Sequence, residues 1–181
     1  MIAIEDLLLP DSRWREYASM PEMDPLTEND ALQEAQLLDV RFDALRSTAG
    51  LLFELRTALQ LREANTGVLV LRGVRTLTWT SGPRETDRTA WTVGGSVVTS
   101  TDRLFGLELG LWPAPGAQVA LSAESAAFFA GDVPGLDRIP DYLDDDESAI
   151  RAQLASWRSE FEPVSAVFLD RAPGASEHRV G

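Results

Sequence analysis

The stretch LDVRFD at residues 38–43, followed by LLFELR at 51–56 and VLVLRGV at 68–74, decides the fold. In the first run Leu38, Val40 and Phe42 alternate with Asp39, Arg41 and Asp43. A period of two sends successive side chains to opposite faces, so this is a half-buried strand with a polar outer face. A polar link at Arg46–Gly50 leads to Leu51, Phe53 and Leu55, which alternate with Leu52, Glu54 and Arg56 as the return strand of a hairpin. Asn65–Thr66–Gly67 is a turn, because Asn and Gly tolerate positive φ. Val68–Leu71 is apolar on both faces and belongs in the middle of a sheet. Gly73 marks a bulge or bend. Val74–Trp79 then continues, with Thr76, Thr78 and Thr80 on one face and Leu77 and Trp79 on the other.

The same reading extends outward. Ser81–Arg88 is a polar loop, and Trp91 and Val93 begin a strand interrupted at Gly94–Gly95. Phe105, Leu107, Leu109 and Leu111 share a face, Pro113, Pro115 and Gly116 turn the chain, and strands follow at Val119–Leu121, Ala126–Ala130 and Val164–Asp170. Helical signals lie at both ends. Asp11 or Ser12 caps a helix carrying Trp14, Tyr17 and Ala18, and Thr27 with Asp30 opens a second that carries Leu32 and Ala35. Ile150, Leu154, Trp157 and Phe161 form one apolar stripe, and Asp144–Glu147 supply its cap and first turn. The expected class is therefore α+β. It is mainly antiparallel β, a curved sheet or small open barrel of about seven to nine strands. N-terminal helices and one C-terminal amphipathic helix over about 144–160 complete it. The chain divides into an acidic helical segment 1–35, a single β-rich domain 36–170 and a flexible tail 171–181.

The formal charge of −13 is concentrated in two places. Residues 1–35 hold nine acids against Arg13 and Arg15. Residues 132–147 hold seven against Arg138. The stretch 36–131 is neutral, with nine acids and nine arginines. Two acidic patches on a neutral body suit a basic protein partner, engaged through Glu22, Asp24, Glu28, Asp30 and Glu34 and through Asp132, Asp137, Asp141, Asp144, Asp145, Asp146 and Glu147. This charge repels phosphate, so nucleic acid is not an expected partner. The run at 141–147 lacks the glycine and late glutamate of an EF-hand loop, and no metal or cofactor is assigned.

Composition removes several chemistries. The absence of cysteine excludes disulfides, thiolate sites and cysteine nucleophiles, and the absence of lysine excludes Schiff bases and the P-loop. The one histidine, His178, sits in the tail, where a catalytic imidazole cannot be held. No catalytic residue is assigned. Asp39, Asp43, Glu54 and Glu108 read as partners of Arg41, Arg56 and Arg103 on a solvated sheet face. MIAIEDLLLPDS has no basic n-region and no apolar run approaches the ~20 residues of a membrane helix, so a cytoplasmic location and no membrane partner are expected. Oligomeric state is not legible. A second reading is a small-molecule-binding or enzymatic β-barrel with a pocket lined by Trp79, Trp91 and Phe105. A third is a structural subunit of a larger assembly.

The runs LDVRFD, LLFELR and VLVLRGV, about a fifth of the chain by their β alternation, resemble the strand core of small uncharacterised bacterial β-rich proteins that include immunity proteins of toxin systems. The resemblance implies a non-enzymatic cytoplasmic protein that binds and blocks a partner. It also implies an acid-rich surface as the means, since immunity proteins against basic nuclease toxins often bind that way.

Overall fold

The computed structural model describes residues 1–10, 19–83 and 88–170. The helix expected to carry Trp14 and Tyr17, and the tail with His178, lie outside the described residues. Among the described residues eight strands are present: β1 Ile2–Ala3, β2 Gln36–Asp43, β3 Thr48–Glu54, β4 Thr66–Thr80, β5 Trp91–Ser100, β6 Phe105–Trp112, β7 Gln118–Asp132 and β8 Glu160–Leu169. They form one sheet in the order β1-β8-β7-β4-β3-β2-β5-β6, every neighbour antiparallel. Strand makes up 48% of the chain and helix 7%, which overturns the α+β expectation: the protein is nearly all antiparallel β.

The sheet closes on itself through β7. One edge of this long strand carries β4 from Thr66 to Thr80. The other edge carries β6 opposite Gln118–Ala123 and β8 opposite Ala126–Asp132. The ring β4-β3-β2-β5-β6-β7 encloses Leu51, Phe53, Leu69, Leu71, Phe105 and Phe128, all buried. A second core lies outside the ring, where Val68, Val70 and Phe129 meet Ile4, Leu7 and Trp157. Two cores explain why the first half of β4 is apolar on both faces: each face removes apolar surface from water at ~25 cal/mol per Å². Gly50 sits at a close approach of these layers. A Cβ there would stand 2.7 Å from both Leu8 and the Trp157 ring.

The ring has a weak seam. β2 and β5 share only two residue pairs, Gln36 with Thr92 and Leu37 with Trp91. Residues 22–35, expected as helix over 27–35, are instead turns and bends laid along this seam. They bury Leu26, Leu32 and Ala35 in the ring core, and Ala31 is buried as well. Asp30 and Glu34 take φ of 59° and 64°, the left-handed region, which ends any right-handed helix. Their backbone is repaid by β5: Asp30 N donates to the Ser96 carbonyl and Glu34 N to the Val93 carbonyl. The exposed amides of β5 are capped by side chains, Ser96 N donating to Asp30 Oδ1 and Val98 N to Asn29 Oδ1. Local Asx chemistry won over helix propensity because it also sealed a sheet edge.

The second helical expectation is also corrected. Over 144–160 only α1, Glu147–Ala152, is helical, six residues long, with Asp146 Oδ1 accepting from Ala149 N as cap. Trp157 and Phe161 are buried, but not on a helix. Phe161 lies in β8 opposite Ile2, and the Trp157 indole donates to Asp39 Oδ2 at 2.7 Å. A helix this short has little stability of its own, so these tertiary partners take the chain. No helix among the described residues is long and apolar enough to cross a membrane.

Candidate functional site

The chain leaves β7 at Asp132 and returns to the sheet at β8, and the intervening excursion carries the second acidic run. One arginine holds it. Arg56 follows β3, and Glu54 ends that strand; they lie two residues apart, so both side chains point the same way. Glu54 Oε1 accepts from Arg56 Nε at 2.7 Å and Glu54 Oε2 from Nη2 at 2.6 Å. The remaining guanidinium donors reach three carbonyls of the excursion: Leu136 and Arg138 from Nη1 at 3.1 and 2.6 Å, and Gln153 from Nη2 at 2.6 Å. All five donors of the fork are thus used. The Glu54 side chain is 1% exposed and that of Arg56 14%. This corrects the reading of Glu54 and Arg56 as partners on a solvated face.

Further contacts fix the ends of the loop. The Asn65 carboxamide bonds both backbone groups of Val133, and Asp132 Oδ1 accepts from Asn65 N. The Tyr142 hydroxyl donates to Gln36 Oε1 at 3.1 Å. That contact brings the loop against the end of the 22–35 segment, so the two acidic regions meet at the β2–β5 seam. Burial pushes the Tyr142 phenol up to about 12, and the Glu54 carboxylate adds to the rise. Arg88 also reaches the loop, donating to the Asp145 carbonyl at 3.0 Å.

The candidate acids divide into two groups. Several shape the backbone. Asp141 Oδ1 accepts from Leu143 N and Asp144 N, Asp145 pairs with Arg138 at 2.8 Å, Asp146 caps α1 and Glu147 pairs with Arg151. The hydrogen bond from Arg138, with that from the Asp141 amide, holds the Asp145 carboxyl below the usual carboxylate value. In the N-terminal segment Asp24 accepts from Leu26 N and Thr27 Oγ1, Glu28 Oε1 from Asp24 N, and Asp30 from Ser96 N. The side chains of Glu22, Asp137 and Asp144 are free to meet a partner: among the described residues none of them has a hydrogen bond or ion pair, and all are exposed or nearly so. Glu34 is exposed, and its carbonyl takes the Thr57 hydroxyl. No three acids among the described residues converge as a metal site would require.

A cleft of about 510 Å³ opens at the base of this excursion, lined by Arg56, Thr57, Arg62, Glu63, Asn65 and Asp132 together with three apolar neighbours. Glu63 Oε1 accepts from the Ser165 hydroxyl, while Oε2 is buried without a partner. The aromatic residues expected to line a pocket lie elsewhere. Trp79 and Trp91 meet edge to face at 5.3 Å, whereas Phe105 is 1% exposed in the ring core. Sequence reasoning missed the clamp. The available signal was Glu-x-Arg on one face of a strand whose other residues are all apolar or small.

No protein-family model matches this chain, and no curated protein matches it. Among solved structures it is similar to the crystal structure of an uncharacterized protein from Neisseria gonorrhoeae, at 14% identity and a TM-score of 0.43, over 56% of this chain and 94% of that one. A likeness of that size carries no functional argument.

Proposed function

We propose that this chain is a non-enzymatic binding protein of the interaction or immunity type, which engages a basic protein partner through the acidic loop 132–147 and the adjoining segment 22–34. The observation that supports it most is the Arg56 clamp. Of the five hydrogen bonds from one nearly buried guanidinium, two go to Glu54 and three hold the Leu136 and Arg138 carbonyls of the loop and the Gln153 carbonyl beyond it. A loop already ordered loses little conformational entropy on binding, so its charges act from fixed positions. Complementary charge then raises the association rate and selects against acidic competitors more than it adds affinity.

The test reverses charges that have no structural duty. Asp137→Arg and Asp144→Arg together leave every capping and clamping contact intact. The tagged wild-type and double-variant proteins are compared in pull-downs from host lysate at low and high salt, read by mass spectrometry. A basic protein recovered by the wild type at low salt, weakened at high salt and lost from the variant supports the reading. Equal recovery by the two proteins rejects the loop as the binding surface.

A further inference from the structure

We infer that the protein self-associates through the second half of β4, two copies pairing edge to edge about a two-fold axis at Thr78. β4 has strands on both edges only along its first half. β3 runs beside Thr66–Arg72 and stops at its turn, where the Ser47 carbonyl takes the Val74 amide. From Thr76 to Thr80 the strand pairs with β7 alone, and no other backbone hydrogen bond is made there among the described residues. Burial changes at the same place. Thr66–Leu71 is fully buried, whereas five of the six residues Arg75–Thr80 are exposed. Gly82, two residues past β4, lies against the Pro115 carbonyl of the β6–β7 connection, and no described residue other than those of β7 hydrogen-bonds the backbone of Thr76–Thr80.

An uncovered edge with its row of unpaired amides and carbonyls is a template for another strand. The fold guards another exposed edge: β5 is capped by Asn29 and Asp30. The run Thr76-Leu77-Thr78-Trp79-Thr80 has no such guard. It contains no charge and no proline, and the nearest bulge lies between Val74 and Thr76. Arg75 is drawn sideways to Glu124 of β7.

The occupant is identified by the sequence of the edge itself. An antiparallel pairing centred on Thr78 sets Thr76 opposite Thr80 of the second copy, Leu77 opposite its Trp79, and Thr78 opposite its Thr78. Opposed residues then share a face. Leu77 and Trp79 stand in the row of Leu121 and Val119, while Thr76, bonded to the Ser122 hydroxyl, stands in the outer row. Apolar meets apolar on one face and threonine meets threonine on the other, the pairs that favour cross-strand contact. Trp79, left 46% exposed at the end of this row, is covered in such a pair. The arrangement is isologous and closes at two copies. Charge does not oppose it, because residues 36–131 are neutral and the acidic runs lie outside that stretch.

Sedimentation velocity and light scattering of the full chain test this directly. The wild type is expected at twice 19.8 kDa, falling toward 19.8 kDa on dilution. Thr78→Lys sets two like charges opposite each other on the axis and is expected to give a folded monomer that melts where the wild type does once diluted to monomer. The chain has no cysteine, so single replacements report register cleanly. Thr78→Cys is expected to cross-link to itself through a short bis-maleimide. Thr76→Cys alone is not, but mixed with Thr80→Cys it is. Asp137→Arg with Asp144→Arg leaves the dimer mass unchanged, which separates this surface from the acidic loop. A monomer at every concentration overturns the inference and leaves the edge to an extended segment of another protein. A dimer that survives Thr78→Lys, or whose Thr78→Cys form does not cross-link, also overturns it.

Discussion

Replacing Arg56 by methionine separates the charge of the clamp from its bulk. Methionine keeps an unbranched stem of similar reach, so packing changes little. Glu54 is then left 1% exposed with no cation. Removing one partner of a buried pair costs about 3–5 kcal/mol, because the remaining charge stays desolvated. A protein of this kind has about 5–15 kcal/mol in total, so a single substitution takes a large share. The carbonyls of Leu136, Arg138 and Gln153 lose a donor as well. The double variant Glu54→Met with Arg56→Met removes the stranded charge and is expected to restore most of the stability, as apolar replacements of buried pairs often do. It does not restore the three carbonyl contacts. Hydrogen exchange over residues 136–153 is therefore expected to stay faster than wild type in both variants. Urea unfolding at neutral pH gives the energies, and the double-mutant cycle gives the coupling. A loss below about 1 kcal/mol for Arg56→Met, the value of a solvated surface pair, would refute the reasoning.

Tyr142 is expected to titrate at about 12 in an alkaline absorbance titration, a step that Tyr142→Phe removes. The phenol is neutral when protonated and its folded value lies above its unfolded value of 10.0, so its contribution to stability is complete below pH 10.0 and is lost as pH rises through about 12. Asp145 behaves oppositely: its folded value is depressed below 3.8, so its contribution is present above that pH and is lost as pH falls through the folded value. Carboxyl NMR is expected to show the Asp145 midpoint rising toward 3.8 in Arg138→Gln, and an unmoved midpoint would contradict the assigned pair. Gly50→Ala drives a methyl against Leu8 and the Trp157 ring and is expected to cost about 1–3 kcal/mol, seen as a lower urea midpoint at unchanged slope. At Asp30, asparagine keeps both the acceptor for Ser96 N and tolerance of φ 59°, glycine keeps only the second, and alanine keeps neither. Stability should therefore fall in the order Asn, Gly, Ala, with alanine losing about 2 kcal/mol, and equal melts for all three would remove Asp30 from the seam.

Alternation was the readable signal. Leu38–Asp43, Leu51–Glu54, Val68–Trp79 and Phe105–Leu111 lie in the strands where a period of two places them. The helix-like spacing of Ile150, Leu154, Trp157 and Phe161 misled, because three buried positions and one half-buried one produce the same spacing whether one helix or several different elements present them. Residues 22–35 misled for a related reason. Asp24, Asp30 and Asn29 are good helix caps and equally good turn and edge caps, and only the vacant edge of β5 decides between those uses. The clamp was hidden because a carboxylate two residues from an arginine looks alike on a wet face and in a buried one.

The sequence by itself determined the β pattern, the placement of net charge in two runs, and the chemistries that missing cysteine and lysine exclude. Those are properties of residue type and short-range order, which need no partner elsewhere in the chain. Closure of the ring through β7, the plug of residues 22–35, the five-bond grip of Arg56 and the bare edge of β4 were decided only by tertiary structure. Each depends on which distant backbone group stands within hydrogen-bond reach, and separations such as the 97 residues between Arg56 and Gln153 leave no local trace.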